Sequence, residues 1–115
     1  SKGLVLNLIE AIETHNDPMF LKYVDGEVDY FGHKHASGAF VQRDMEQDAT
    51  TYQSVRMIPD LATLETSTGH ASVEYDLEAQ EFSGKDHKAR CRLEIEFAPG
   101  PTPRLLSISS RVVPR

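Results

Sequence analysis

The sequence holds a single cysteine, no tryptophan and no uninterrupted run of basic residues, and each shortage narrows what the chain can do. One thiol, Cys91, cannot form an intrachain disulfide, so the fold must be held by its core. Lys and Arg number 12 against 18 Asp and Glu, a formal charge of −6, which offers no general attraction for a phosphate backbone or an anionic lipid surface. Nucleic acid and membrane are therefore not expected partners. No apolar run approaches the roughly 20 residues needed to cross a bilayer, and no signal-peptide pattern opens the chain. A soluble chain is expected, with no compartment indicated. A glycine-rich phosphate loop is missing too: "GKDHK" from Gly84 has no following helix to supply aligned N–H groups.

What remains is ordinary globular composition, 39% hydrophobic and 26% charged over 115 residues, enough for one domain spanning 1–115 with its own core. The opening "SKGLVLNLIEAIE" carries no initiator Met and turns helical almost at once, as expected of a processed chain or a segment cut from a longer protein. In "LVLNLIEAIETHN", Leu4, Leu8 and Ile12 recur at helical spacing with Val5 and Ile9 beside them, which predicts an amphipathic helix ending at Asn16. Asp17-Pro18 predicts a second short helix, its carboxylate capping free N–H groups, that stops at Asp25-Gly26. "EVDYFG" reads as a short strand, and Ser37 as the N-cap of a third helix, "GAFVQRDMEQDATTYQ", with a stripe of Phe40, Val41, Met45 and Tyr52.

The second half changes period. "SVRMIPDLATLET", "HASVEYDLEAQEF", "KARCRLEIEF" and "RLLSISSRVV" predict four strands joined by "STG", "SGKD" and "APGPTP", an antiparallel meander. Pro59 cannot donate to a ladder, so its strand is expected at an edge or bulged there. Val73, Tyr75 and Leu77 share one face with Cys91, Leu93, Ile95 and Phe97, which the helices must cover. The opposite face alternates Glu74, Asp76, Glu78 with Arg90, Arg92, Glu94 and Glu96, a lattice whose cross-strand pairs set register.

This element order resembles the nuclear transport factor 2-like superfamily, including its SnoaL-like and polyketide-cyclase-like members. The likeness is carried at motif level by "HNDPMFLKYVDGEVDYFG" and by "VDYFG" followed by "SGAFVQRD", which is similar to small bacterial accessory domains of that superfamily. The resemblance implies an α+β fold in which a curved antiparallel sheet wraps N-terminal helices as a cone with a pocket. It implies two classes of function: isomerases, cyclases and dehydratases, or non-catalytic binding and association domains, often within larger bacterial proteins. Many relatives pair through the outer sheet face, so a homodimer through the sheet is expected.

Residues must decide between the classes. The inward positions of the two central strands carry no carboxylate, His or Lys, which weighs against catalysis, because a general base needs hydrogen-bond reach to its substrate. No catalytic residue is assigned; an enzyme would use Asp44 with Tyr30. Asp44 lies beside the packed stripe and requires a partner if it turns inward, with Tyr30, His35 and Arg43 at hand. The expected pocket residues are Tyr30, His35, Phe40, Asp44, Tyr75 and Leu93, around a small apolar ligand. His33 and His35 form at most half a metal site, with no third ligand at a suggestive spacing, and read as exposed loop histidines. No metal or cofactor is expected. Cys91 reads as a small buried hydrophobe, and Arg43, Arg56, Arg104 and Arg111 as solvated surface.

Overall fold

A computed structural model describes residues 1–114. Helix α1 (Lys2–Glu13) buries Leu4, Val5, Leu8, Ile9 and Ala11. It closes through a 2.8 Å bond from the Asn16 N–H to the Ala11 carbonyl, which forces His15 into the left-handed region at φ 52°. Helix α2 (Asp17–Leu21) is capped by Asn16, not by Asp17: the Asn16 side-chain oxygen accepts the Met19 N–H at 3.1 Å. The cap must stand outside the helix, and Asp17 is already in the first turn, where its charge still favours the helix dipole.

Strands β1 (Glu27–Tyr30) and β2 (His33–Ser37) form a hairpin around Phe31-Gly32, both at positive φ, the backbone of a tight two-residue turn. The two histidines therefore lie on a strand and not in a loop. Only Ala36 of β2 is buried, so no alternation announces this edge strand in the sequence. A register slip between Val28 and Tyr30 is held by Asp29, whose carboxylate accepts the N–H of left-handed His35 at 3.0 Å.

Ser37 caps α3 (Gly38–Thr51) as its sequence predicts, accepting the Phe40 N–H at 3.1 Å. The helix passes directly into β3 (Tyr52–Ser67), so Tyr52 begins a strand and does not complete the helical stripe. Strands β4 (His70–Glu81), β5 (Asp86–Ala98) and β6 (Arg104–Val112) complete the meander. The six-stranded sheet runs β2-β1-β6-β5-β4-β3. Strand β3 is an edge, which tolerates Pro59; its register with β4 slips only beyond that residue, between Asp60 and Glu65. The β1–β6 pairing is parallel, with Tyr30 opposite Ile108.

The sheet is curved and unclosed, and its inner face packs on the helices. Phe20, Leu8, Val41, Val73, Leu93, Ile95, Leu105 and Ile108 are fully buried there. On the outer face Arg90 lies 2.7 Å from Asp60, 3.2 Å from Glu74 and 3.6 Å from Asp76, so the lattice reaches across three strands. Arg92 donates to the Ser72 hydroxyl at 2.9 Å and covers it, which explains a fully buried serine on that face. Arg90 holds the Asp60 carboxyl below the usual carboxylate range. Among the described residues no helix is long and apolar enough to cross a membrane.

Candidate functional site

Two tethers set the geometry of one end of the sheet. Glu13, at the end of α1, accepts the Met57 N–H of β3 at 2.8 Å. Thr51, at the end of α3, accepts the Phe82 N–H from the β4–β5 turn at 3.0 Å. The C-terminal ends of both helices are thereby moored over the start of β3, the end of β4 and the start of β5. Between them lies a cavity of about 230 Å³ lined by His15, Asp48, Tyr52, Val55, Leu77, Ala79 and His87.

Its chemistry is mixed. Val55, Leu77 and Ala79 supply an apolar wall from the sheet. Tyr52 and His87 meet edge to face, with ring centroids 5.9 Å apart. The His87 Nε2 lies 2.6 Å from the Glu81 carboxylate, whose carboxyl is held below its usual range by that bond. Asp48 is half-buried. Burial, and then the charge of Asp44 one turn earlier, push its carboxyl above the usual range, while His15 pulls it back. His15 reaches this wall from the left-handed backbone that closes the end of α1.

The polar seam continues inward along α3. The Tyr30 hydroxyl donates to Asp44 Oδ2 at 2.8 Å, so this partly buried carboxylate has a partner. Burial, then this bond, then the charges of Asp44 and Asp48 push the Tyr30 hydroxyl well above the ordinary tyrosine value. Phe20 and Phe40 stand edge-on to the Tyr30 ring at 5.8 and 6.4 Å.

The six residues expected to line a pocket are distributed differently. Tyr30 is buried beneath Asp44, and Leu93 lies in the closed core. Tyr75 is buried, its hydroxyl 2.6 Å from the Ser110 Oγ of β6. His35, exposed on β2 with its Nδ1 3.5 Å from Glu27, lines with Phe40 and Arg43 an open groove of about 520 Å³. Phe40 and Asp44 border an open groove on the outside of α3, together with His33, Arg43 and Gln47. None of the six lines the cavity at the helix ends. One signal was legible in the sequence: Asp44 and Asp48, four residues apart, place two carboxylates on one side of α3. Among the described residues no three His, Cys, Asp or Glu side chains stand together as metal ligands.

No protein-family model matches the sequence, and no curated protein matches it either. Its architecture, by contrast, is well represented among solved structures. A protein described as a SnoaL-like polyketide cyclase from Shewanella denitrificans superposes with a TM-score of 0.83 over 97% of this chain and 89% of its own, at 12% identity. The chain has the nuclear transport factor 2-like fold. A nuclear transport factor 2-like protein of unknown function from Burkholderia pseudomallei matches at TM-score 0.80 and 15% identity, covering 97% of this chain and 89% of that one. A protein of ketosteroid isomerase-like fold from Catenulispora acidiphila, solved with trimethylamine, matches at 0.77 and 8% identity, covering 94% and 83%. At such identities the nuclear transport factor 2-like fold is shared, and the chemistry must come from this chain's own residues.

Proposed function

We propose that this domain is a non-catalytic ligand-binding module whose binding site is the cavity at the helix ends, suited to a small apolar ligand. The observation that carries the reading is the wall of Val55, Leu77 and Ala79 facing an open space of about 230 Å³. Space of that size is below the roughly 300–1,000 Å³ of sites for drug-sized molecules, so the ligand is small. Ala79→Leu, which fills the cavity from β4, is expected to abolish binding of cyclohexanol seen by NMR shift perturbation at Val55 and Leu77. A stable, folded Ala79→Leu variant that still binds it there would reject the site.

A second reading, an isomerase, cyclase or dehydratase, has two observations in its favour: the Tyr30 hydroxyl donates to Asp44 at 2.8 Å, the pair such an enzyme would use, and Asp48 is a half-buried carboxylate with a raised affinity for its proton, at a cavity. It requires exchange of the α-protons of a bound ketone such as cyclohexanone, lost in Asp48→Asn. Absence of such exchange in the wild type removes it.

We also infer that two copies pair through the outer face of the sheet. Support comes from Ile58, exposed on that face beside the Arg90 lattice, which offers a rigid charged surface with an apolar edge. Sedimentation is expected to show twice the 12.9 kDa chain mass. A monomer at tens of micromolar rejects the dimer.

A further inference from the structure

The cavity at the helix ends has an electrostatic sign as well as an apolar wall. Asp48 lies in its lining, Asp44 stands one helical turn behind, and Glu81 sits behind His87. No lysine or arginine among the described residues lines it. The only basic groups are the imidazoles of His15 and His87, and His87 is already bonded to Glu81. The Asp48 carboxylate takes no hydrogen bond from any described residue, so a half-buried acceptor faces the cavity with its valence unused. A carboxylate in that setting is stabilised by a donor that also carries positive charge, because charge-assisted bonds are the strong ones. Tyr52 also belongs to the lining, and a tyrosine ring is an aromatic group that attracts a cation over its face.

We propose, on the footing that this cavity is the binding site, that it selects small organic cations, protonated alkylamines or alkylammonium ions, over neutral and anionic molecules of the same shape. The alkyl part lies on Val55, Leu77 and Ala79, and the ammonium group meets Asp48. A cation placed there also relieves the repulsion between Asp48 and Asp44, which the free protein offsets through His15 and the Tyr30 hydroxyl.

The test uses three probes with one ring and different head groups: cyclohexylammonium, cyclohexanol and cyclohexanecarboxylate, titrated by NMR at neutral pH. Cyclohexylammonium is expected to bind about tenfold or more tightly than cyclohexanol, with the carboxylate weakest. Asp48→Asn, which removes a like charge from α3 and so does not threaten folding, is expected to erase this preference, so that the variant binds cyclohexylammonium no more tightly than cyclohexanol. Equal binding of the three probes, or a preference that survives Asp48→Asn, overturns the inference and leaves the cavity as a binding site. No response to any probe overturns the site and the inference together.

Discussion

Truncating Phe20 to alanine is expected to remove about 3–5 kcal/mol of folding stability, the usual cost of deleting a large buried ring. Phe20 is fully buried on a helix of only five residues, and its ring stands edge-on to Tyr30 at 5.8 Å. A short helix has little stability of its own, so α2 is held in place chiefly by this one side chain. Total stability of a domain is about 5–15 kcal/mol, so the loss is a large share of it. The damage also reaches the polar seam, because the cavity frees the Tyr30 ring to tilt away from Asp44. Urea denaturation with an unchanged slope measures the loss. A change below about 1 kcal/mol would show that the α2 ring packs on a surface that readily closes over it.

Alkaline pH is expected to produce the second large effect. Burial pushes the Tyr75 hydroxyl up to about 12, against a relieving bond to Ser110 and a further upward push from Cys91, and Tyr30 is raised as well. The unfolded chain releases these protons near the ordinary tyrosine value of 10, while the folded chain holds them. Folding thus binds more protons than unfolding above that pH, and stability falls as pH rises from about 10 toward 12. Below 10 both states are protonated and the contribution is constant. For Tyr75 alone the loss is on the order of 2 kcal/mol by pH 12. Denaturation between pH 9 and 12 checks this, and Tyr75→Phe should flatten the alkaline decline. A wild-type profile that is flat to pH 12 would mean that these hydroxyls ionise in place without cost.

Several parts of the molecule were readable from local pattern. The alternation of Val73, Tyr75 and Leu77, and of Cys91, Leu93, Ile95 and Phe97, names the inner face because side chains alternate strictly along a strand. Pro59 announced its edge because it lacks an N–H. Ser37 announced its helix because its hydroxyl reaches an orphan donor. The Tyr30–Asp44 bond was anticipated by a different argument: an inward carboxylate needs a partner, and Tyr30 was among those at hand.

Other parts left no local trace. The strand His33–Ser37 is polar except for Ala36, so the burial that creates alternation is missing there. The parallel pairing of β1 with β6 joins residues nearly eighty positions apart, and no turn chemistry encodes it. The cavity of His15, Asp48, Tyr52, Val55, Leu77, Ala79 and His87 gathers two helix ends and three strands.

By itself, then, the sequence determined the α+β order of elements, the inner face of the sheet and the charge lattice outside, since each follows from the repeat of a helix or strand. Which polar residues meet at a cavity was decided only in three dimensions. That depends on where α1 and α3 end over the sheet, through the Glu13 and Thr51 tethers. Those contacts form after long loops have closed, and periodicity carries no information about them.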